Sequence, residues 1–136
     1  MITVYVAGGI AGLEPDEVTS RFNYLQEQFE LLGCQVKSPI RGKIIDTEVE
    51  QRYETNEIID RDLWDIRNAD ILIAVPSVKS IGTWMEIFFA AHEIYIPVIV
   101  VADNNFIRNH YWVRKFASKI VSTMDEAIEY VGAWYL

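Results

Sequence analysis

One acidic residue stands out in this sequence because an apolar segment surrounds it. Residues 84–92 are apolar except for Glu86 and His92, and a short polar segment, residues 77–83, precedes them. A carboxylate held by an apolar helix at the edge of a crevice is partly desolvated, which makes it a candidate nucleophile or base. The alternative is structural, because Thr83 and Glu86 match the capping box, in which both side chains bind amides of a helix's first turn. We expect Glu86 in that first turn, and the residues alone leave both roles open.

The elements around Glu86 alternate between strands and helices. Apolar runs predict strands at residues 2–7, 34–37, 69–76, 96–101 and 119–121, and helical spacing predicts helices at 15–33, 53–68, 84–92 and 125–134. This alternation implies a parallel sheet. We therefore expect an α/β protein, a flavodoxin-like three-layer sandwich with five parallel strands, formed as a single domain by residues 1–136. Ligands of such sheets bind at the carboxyl ends of the central strands, where Glu86 is placed.

Two further segments are candidates for binding an anion. The first strand runs into Gly8, Gly9 and Ile10, and glycines there allow a backbone to approach a phosphate or a sugar closely. Arg41 and Lys43 lie in a loop without helical or strand periodicity, where basic side chains are either ligands or merely solvated. The sequence predicts that both segments lie on the ligand side of the sheet.

Composition excludes several classes of function. The formal net charge is −8, so duplex DNA or another polymeric nucleic acid is not an expected partner. Cys34 is the only cysteine, and His92 and His110 lack the spacing of metal ligands, so we expect neither a disulfide nor a metal site. No apolar run reaches the length of a membrane span, and the start of the chain has no signal-peptide pattern. A cytoplasmic protein without a membrane partner is the resulting expectation.

Several separated segments resemble the nucleoside 2-deoxyribosyltransferase family. The match covers almost the whole chain and comprises residues 4–10 (VYVAGGI), residues 38–43 (SPIRGK), Asp62 followed by residues 69–71 (ADI), and residues 80–86 (SIGTWME). The most specific part is the last, in which Gly82 and Thr83 are followed by Glu86. The sequence is most similar to the short phage and bacterial branch of a family that also contains 2'-deoxynucleoside 5'-monophosphate N-hydrolases and CMP hydrolases.

This resemblance implies cleavage of the N-glycosidic bond between a sugar and its base, without a cofactor. Glu86 matches the nucleophile that forms a glycosyl-enzyme ester, and Asp62 matches the acid that helps the base to leave. Tyr5 matches an aromatic residue near the catalytic carboxylate. The assignment agrees with chemistry, because a carboxylate stabilises an oxocarbenium-like transition state and can then bond to its carbon.

The residue six positions before Glu86 favours a phosphorylated substrate. It is Ser80, as in the monophosphate hydrolases, whereas transferases of free nucleosides typically have Asp there. A carboxylate ~4 Å from a phosphate would be repelled by about 4 kcal/mol at an effective dielectric constant near 20. Together with Gly8 and Gly9, Ile10 and the amides around Gly82, Ser80 would form a phosphate cradle. The first loop lacks the Arg often found in the animal hydrolases, and Arg41, Lys43 or a neighbouring subunit would supply that charge.

The resemblance also implies a homodimer or higher homo-oligomer with shared active sites. Asn109 and His110 match the region that a neighbouring subunit supplies to the substrate. Aromatic residues near them and at the chain end are suited either to such an interface or to the core; these are Trp112, Tyr130, Trp134 and Tyr135.

Three other functions remain as alternatives to a nucleotide N-hydrolase. A nucleoside 2-deoxyribosyltransferase would exchange bases between nucleosides at the same residues. A glycohydrolase of NAD or of a signal nucleotide would need a wider pocket. A non-catalytic nucleotide-binding module would use Glu86 only as a cap. A redox role is disfavoured, because the first loop lacks the Ser/Thr-rich pattern that binds flavin mononucleotide.

Overall fold

The computed structural model describes residues 1–9, 14–39 and 55–136. Its centre is a parallel five-stranded sheet with the strand order β2-β1-β3-β4-β5. The strands are β1 (Thr3–Gly8), β2 (Gln35–Lys37), β3 (Ile71–Val75), β4 (Val98–Val101) and β5 (Lys119–Val121). This order is that of flavodoxin-like sheets and confirms the predicted fold class.

Helices cover both faces of this sheet. They are α1 (Pro15–Leu31), α2 (Thr55–Arg67), α3 (Ile81–Phe88), α4 (Asn105–Asn109), α5 (Tyr111–Phe116) and α6 (Met124–Trp134). Among the described residues, no helix is long and apolar enough to cross a membrane. All the predicted strands and long helices are present, and their ends differ from the predicted ones by a few residues.

Side-chain alternation along β1 divides the core into two layers. Val4 and Val6 pack with residues of α1 and α6 on one face of the sheet. Tyr5 and Ala7 point to the other face, where they pack with Ile66 of α2 and with residues of the other helices. Since successive side chains of a strand point in opposite directions, this alternation directs Tyr5 toward α2 and α3.

The helix after β3 changes its winding before it ends. Residues Phe89–Ile94 continue α3 as a π-helical turn, and Tyr95 closes it in the left-handed conformation with φ 63°. A π-turn arises where a helix accommodates one extra residue, and such turns are frequent at functional sites. Tyr95 is 80% exposed, and it is the only residue other than glycine with positive φ in the described part of the chain.

Two local features differ from or refine the sequence prediction. The segment predicted only as polar and aromatic, residues 106–116, falls almost entirely in the short helices α4 and α5, and α4 begins one residue before it. Asn104 caps α4 by accepting the Ile107 N–H at 2.9 Å. Thr123 caps α6, since its hydroxyl accepts the Glu126 N–H at 3.1 Å.

Candidate active site

A buried tyrosine and a helical carboxylate meet at the carboxyl end of the sheet. Tyr5 is fully buried in the middle of β1, and its hydroxyl donates a hydrogen bond to Oε2 of Glu86. The contact links a central strand to α3 although 81 positions separate the two residues in sequence. A hydrogen bond to a charged group is stronger than one between neutral groups, so it fixes the direction of the Glu86 carboxylate.

This carboxylate lines a cavity of about 600 Å³. The volume lies within the range of small-molecule sites in proteins. Apolar side chains from α2, α3 and the π-helical turn form much of the wall, including Ile58, Leu63 and Phe89. Among the described residues, the polar and charged side chains on the wall are those of Asp62, Lys79, Ser80, Thr83, Glu86 and Glu93. An apolar cavity with a few convergent polar groups is the usual form of a site that binds and orients a small molecule.

Asp62 reaches the same cavity from α2. It is 8% exposed, whereas Asp60 on the same helix is exposed to solvent. Arg61 lies beside it, with Nη2 3.4 Å from Oδ1 of Asp62 and donating at 2.9 Å to the carbonyl oxygen of Pro39. The guanidinium group therefore connects the Asp62 carboxylate to the segment that follows β2.

The electrostatic environment keeps the Tyr5 hydroxyl protonated. Burial raises the pKa of the phenol well above its ordinary value, and the negative charges of Glu86 and Asp62 raise it further. The hydrogen bond to Glu86 and the charge of Asp65 act in the same direction. Tyr5 therefore remains a hydrogen-bond donor to Glu86 throughout the neutral pH range.

The structure contradicts the capping-box interpretation of Thr83 and Glu86. Helix α3 begins three residues earlier than predicted, with Ser80 at the cap position. Thr83 is consequently the third residue of the helix, and Glu86 lies in the second turn rather than the first. Because the first-turn amides are out of its reach there, Glu86 cannot cap the helix, and it bonds to Tyr5 instead.

Four of the residues predicted to cradle a phosphate line the cavity. Gly8 and Gly9 line it from the end of β1, and Ser80 and Gly82 line it from the start of α3. The Ser80 hydroxyl oxygen accepts the Ser77 N–H at 2.8 Å and lies 2.7 Å from the Ser77 hydroxyl oxygen. When the Ser77 hydroxyl donates across that contact, the proton of Ser80 is available to a ligand.

The remaining predicted binding residues either lie outside the described residues or do not line this cavity. Ile10, Arg41 and Lys43 lie outside the described residues. His110 lines a second, apolar cavity of about 490 Å³ together with Trp84 and Trp112, and Phe88 lies on the wall of both cavities. Asn109 is exposed at the end of α4 and lines neither cavity. A role for Asn109 and His110 in a neighbouring subunit's site remains a prediction.

Sequence reasoning missed several residues of the site. Arg61 was not singled out, because its contact with Pro39 spans 22 positions and leaves no pattern in the sequence. Asp65 is only 5% exposed. The one indication of this burial in the sequence is that Asp65 follows Asp62 by three residues and precedes Ile66. The sequence around Lys79 indicates only a polar loop, although the residue lines the cavity. In the described part of the chain, no cluster of His, Cys, Asp and Glu side chains could hold a metal ion.

Comparison with solved structures shows which proteins share this architecture. A 2-deoxyribosyltransferase from Bacillus psychrosaccharolyticus superposes with a TM-score of 0.74 at 18% identity, and the match covers 94% of this chain and 91% of that one. The chain has the 2-deoxyribosyltransferase fold. This result confirms, at the level of the fold, the resemblance that the sequence motifs carried.

Other structures with the 2-deoxyribosyltransferase fold are also similar over nearly their whole length. One is a 2-deoxyribosyltransferase from Leishmania mexicana, with a TM-score of 0.68, 15% identity and full coverage of both chains. Another is a CMP N-glycosidase from Clostridium botulinum, with a TM-score of 0.64, 18% identity and coverage of 97% of this chain and 99% of that one. No protein-family model and no curated protein matches the chain in sequence.

Proposed function

We propose that this protein cleaves the N-glycosidic bond of nucleoside 5'-monophosphates, with Glu86 as the nucleophile. The observation that carries the proposal is the Glu86 carboxylate, held by Tyr5 in a cavity that also contains Asp62. The 2-deoxyribosyltransferase fold and the CMP N-glycosidase among the similar structures support the same class of reaction.

The reaction proceeds in two displacements. A Glu86 carboxylate oxygen bonds to the anomeric carbon while the bond from that carbon to the base nitrogen breaks, and Asp62 in its protonated form gives its proton to the departing base. Water then attacks the anomeric carbon, Asp62 takes a proton from it, and the ester bond to Glu86 breaks. Both steps pass through an oxocarbenium-like transition state, which the negative charge of Glu86 stabilises.

Tyr5 is the positioning residue for this nucleophile. Its hydroxyl donates to Oε2 of Glu86 from a fully buried strand position, so the carboxylate is held in one orientation before substrate arrives. Orientation of a nucleophile in advance avoids part of the entropy cost of reaching the transition state.

A monophosphate is favoured over a free nucleoside by the composition of the cavity wall at the start of α3. Ser80 occupies the position where a carboxylate would repel a phosphate, and Gly8, Gly9 and Gly82 bring backbone close to the same region. The base then lies toward the apolar wall that Ile58, Leu63 and Phe89 provide.

Base exchange is the second candidate function. Two of the similar structures are 2-deoxyribosyltransferases, and the same glycosyl ester on Glu86 would serve a transferase if a second base, rather than water, attacked it. The two activities differ only in the acceptor, so they are separated by measuring products with and without an added base.

The test is base release from matched nucleosides and 5'-monophosphates, measured by chromatography with and without an acceptor base. We expect release from a monophosphate without an acceptor, and a reduction of at least about 10³-fold in Glu86→Gln. The exposed Glu129 on α6 provides a matched control, and Glu129→Gln retains activity. Exchange that requires both a nucleoside and a free base would make the protein a transferase, and turnover that survives in Glu86→Gln would exclude the mechanism.

A further inference from the structure

Two side chains at the Glu86 cavity, those of Lys79 and Thr83, form neither an ion pair nor a side-chain hydrogen bond with the described residues. Lys79 is exposed on the loop before α3, lines the cavity and forms no ion pair with any residue in the described parts of the chain. Thr83 is only 3% exposed and also lines the cavity, and among the described residues no group forms a hydrogen bond with its hydroxyl. Although the residue is mostly buried, its hydroxyl is accessible from the cavity, where a ligand can form a hydrogen bond with it.

The position of Thr83 on α3 indicates which part of a ligand it would meet. Thr83 precedes Glu86 by three residues, so both side chains lie on the same helix face, about 4.5 Å apart along the axis. In a nucleotide, four bonded atoms separate the anomeric carbon from phosphorus, a span of about one helical turn. With the anomeric carbon at Glu86, the phosphate end of the sugar can therefore reach the region of Thr83 and the start of α3.

Lys79 supplies a positive charge at that end of the cavity. Among the described residues that line the cavity it is the only cation, while Asp62, Glu86 and Glu93 are acidic. A chain with a net charge of −8 needs local positive charge to hold a dianion. Neither Lys79 nor Thr83 was among the binding residues predicted from the sequence, which instead assigned the charge to Arg41 and Lys43.

We infer that Lys79 and Thr83 form the subsite for the substrate's 5'-phosphate, with Lys79 pairing with its charge and Thr83 donating a hydrogen bond to one of its oxygens. This inference rests on the proposed function and deepens it, because it names the residues that distinguish a nucleotide from a nucleoside. Ser80 and the glycine backbone shape the subsite, and Lys79 and Thr83 determine its preference.

The experiment compares kcat/KM for a nucleoside 5'-monophosphate and for the same nucleoside in Lys79→Gln and Thr83→Val. We expect the ratio of the two values to fall about tenfold in Lys79→Gln and about fivefold in Thr83→Val, through KM for the monophosphate. Thr83→Ser keeps the hydroxyl and should restore the ratio. Lys115 on α5 is exposed and does not line this cavity, so Lys115→Gln is the matched control.

A binding assay separates failure of the subsite from failure of the proposed function. Calorimetry with ribose 5-phosphate and with ribose reports phosphate recognition without turnover, and we expect each variant to weaken binding of the phosphorylated sugar alone. The subsite would be overturned if the variants slowed base release equally for the monophosphate and the nucleoside. It would also be overturned if they changed neither the kcat/KM ratio nor the affinity for ribose 5-phosphate. Both results would leave the proposed reaction in place. Binding of ribose 5-phosphate that depends on Lys79, in a protein that releases no base, would support the subsite and exclude the reaction.

Discussion

The hydrogen bond from Tyr5 to Glu86 is the contact on which the proposed chemistry depends. It joins the central part of β1 to the second turn of α3 inside an otherwise apolar layer. Because the phenol remains protonated at neutral pH, its effect on Glu86 is that of a fixed donor and not of an acid that exchanges protons with the substrate.

Removal of this donor should slow the reaction without unfolding the protein. Tyr5→Phe keeps the buried ring, so we expect kcat to fall about 10-fold to 100-fold, the range expected for one hydrogen bond to a charged group. Steady-state kinetics on a monophosphate measure the effect. Tyr24 offers a matched control, since its hydroxyl also donates to a carboxylate, that of Asp125, outside the cavity. Equal kinetic losses in Tyr5→Phe and Tyr24→Phe would argue against a positioning role for Tyr5.

Individual site residues were only partly predictable from the sequence. Alternation along β1 indicates that Tyr5 is buried. That Tyr5 lies near Glu86 was predictable only from the family resemblance. The capping box was wrong because Ser80 and Thr83 are both good cap residues three positions apart, and local preference does not decide between them. Burial of Asp62 rather than Asp60 depends on the rotation of α2 relative to the sheet, which tertiary packing determines.

Helix α3 carries both the candidate nucleophile, Glu86, and a threonine that lines the same cavity, Thr83. The Thr83 hydroxyl has no hydrogen-bond partner among the described residues, whereas the Thr123 hydroxyl caps α6. These two residues therefore give a test at the level of the helix, because the same substitution should have different effects on stability.

We expect Thr83→Val to leave the free energy of unfolding unchanged or to raise it by up to about 1 kcal/mol, because no hydrogen bond is lost. Thr123→Val should lower it by about 1 kcal/mol, because the α6 cap is lost. Urea unfolding followed by circular dichroism measures both. A loss of stability in Thr83→Val as large as that in Thr123→Val would show that the Thr83 hydroxyl is structural.

Helix boundaries were less predictable than helix existence. The extra residue of the π-helical turn leaves no trace in residues 84–92, because a helix that is apolar on nearly every side has no polar face whose phase could shift. Helices α4 and α5 are too short for a periodic pattern, so the aromatic residues around them indicated only a mixed segment.

At the scale of the molecule, one sheet combines strands from both ends of the chain. β1 begins at Thr3 and β5 ends at Val121, and the alternation of elements along the chain predicted that the strands of this sheet are parallel. The four aromatic residues suited either to an interface or to the core differ in their exposure. Trp112 and Trp134 are 65% and 72% exposed, so core packing is wrong for them, whereas Tyr130 and Tyr135 pack against the core. A homo-oligomer that covers the exposed pair remains a prediction.

Stability of the whole protein should decrease at alkaline pH through its tyrosines. Burial raises the pKa of Tyr5, the hydrogen bond to Asp125 raises the pKa of Tyr24, and burial raises the pKa of Tyr135. The folded protein therefore keeps protons that the unfolded chain releases above pH ~10. Their stabilising effect is complete below that pH and is lost as pH rises toward the folded pKa values.

Urea unfolding between pH 8 and pH 11 tests this dependence. We expect the free energy of unfolding to fall as pH rises above about 10, and to fall less steeply in Tyr5→Phe, because that variant lacks the most strongly shifted group. A Tyr5→Phe profile parallel to that of the original protein would contradict the assignment of the effect to Tyr5.

The left-handed Tyr95 at the end of the π-helical turn offers a means of engineering the scaffold without touching the cavity. The left-handed conformation costs energy for an L residue with a side chain, and glycine avoids this cost. Because the ring of Tyr95 is exposed, its removal sacrifices little packing. We expect Tyr95→Gly to raise the melting temperature slightly, with a gain of about 0.5 kcal/mol after the extra freedom of the unfolded chain is counted. Tyr111 is equally exposed but starts a helix, so Tyr111→Gly should lower the melting temperature. The natural sequence would then have a lower melting temperature than a variant with the same backbone and one substitution.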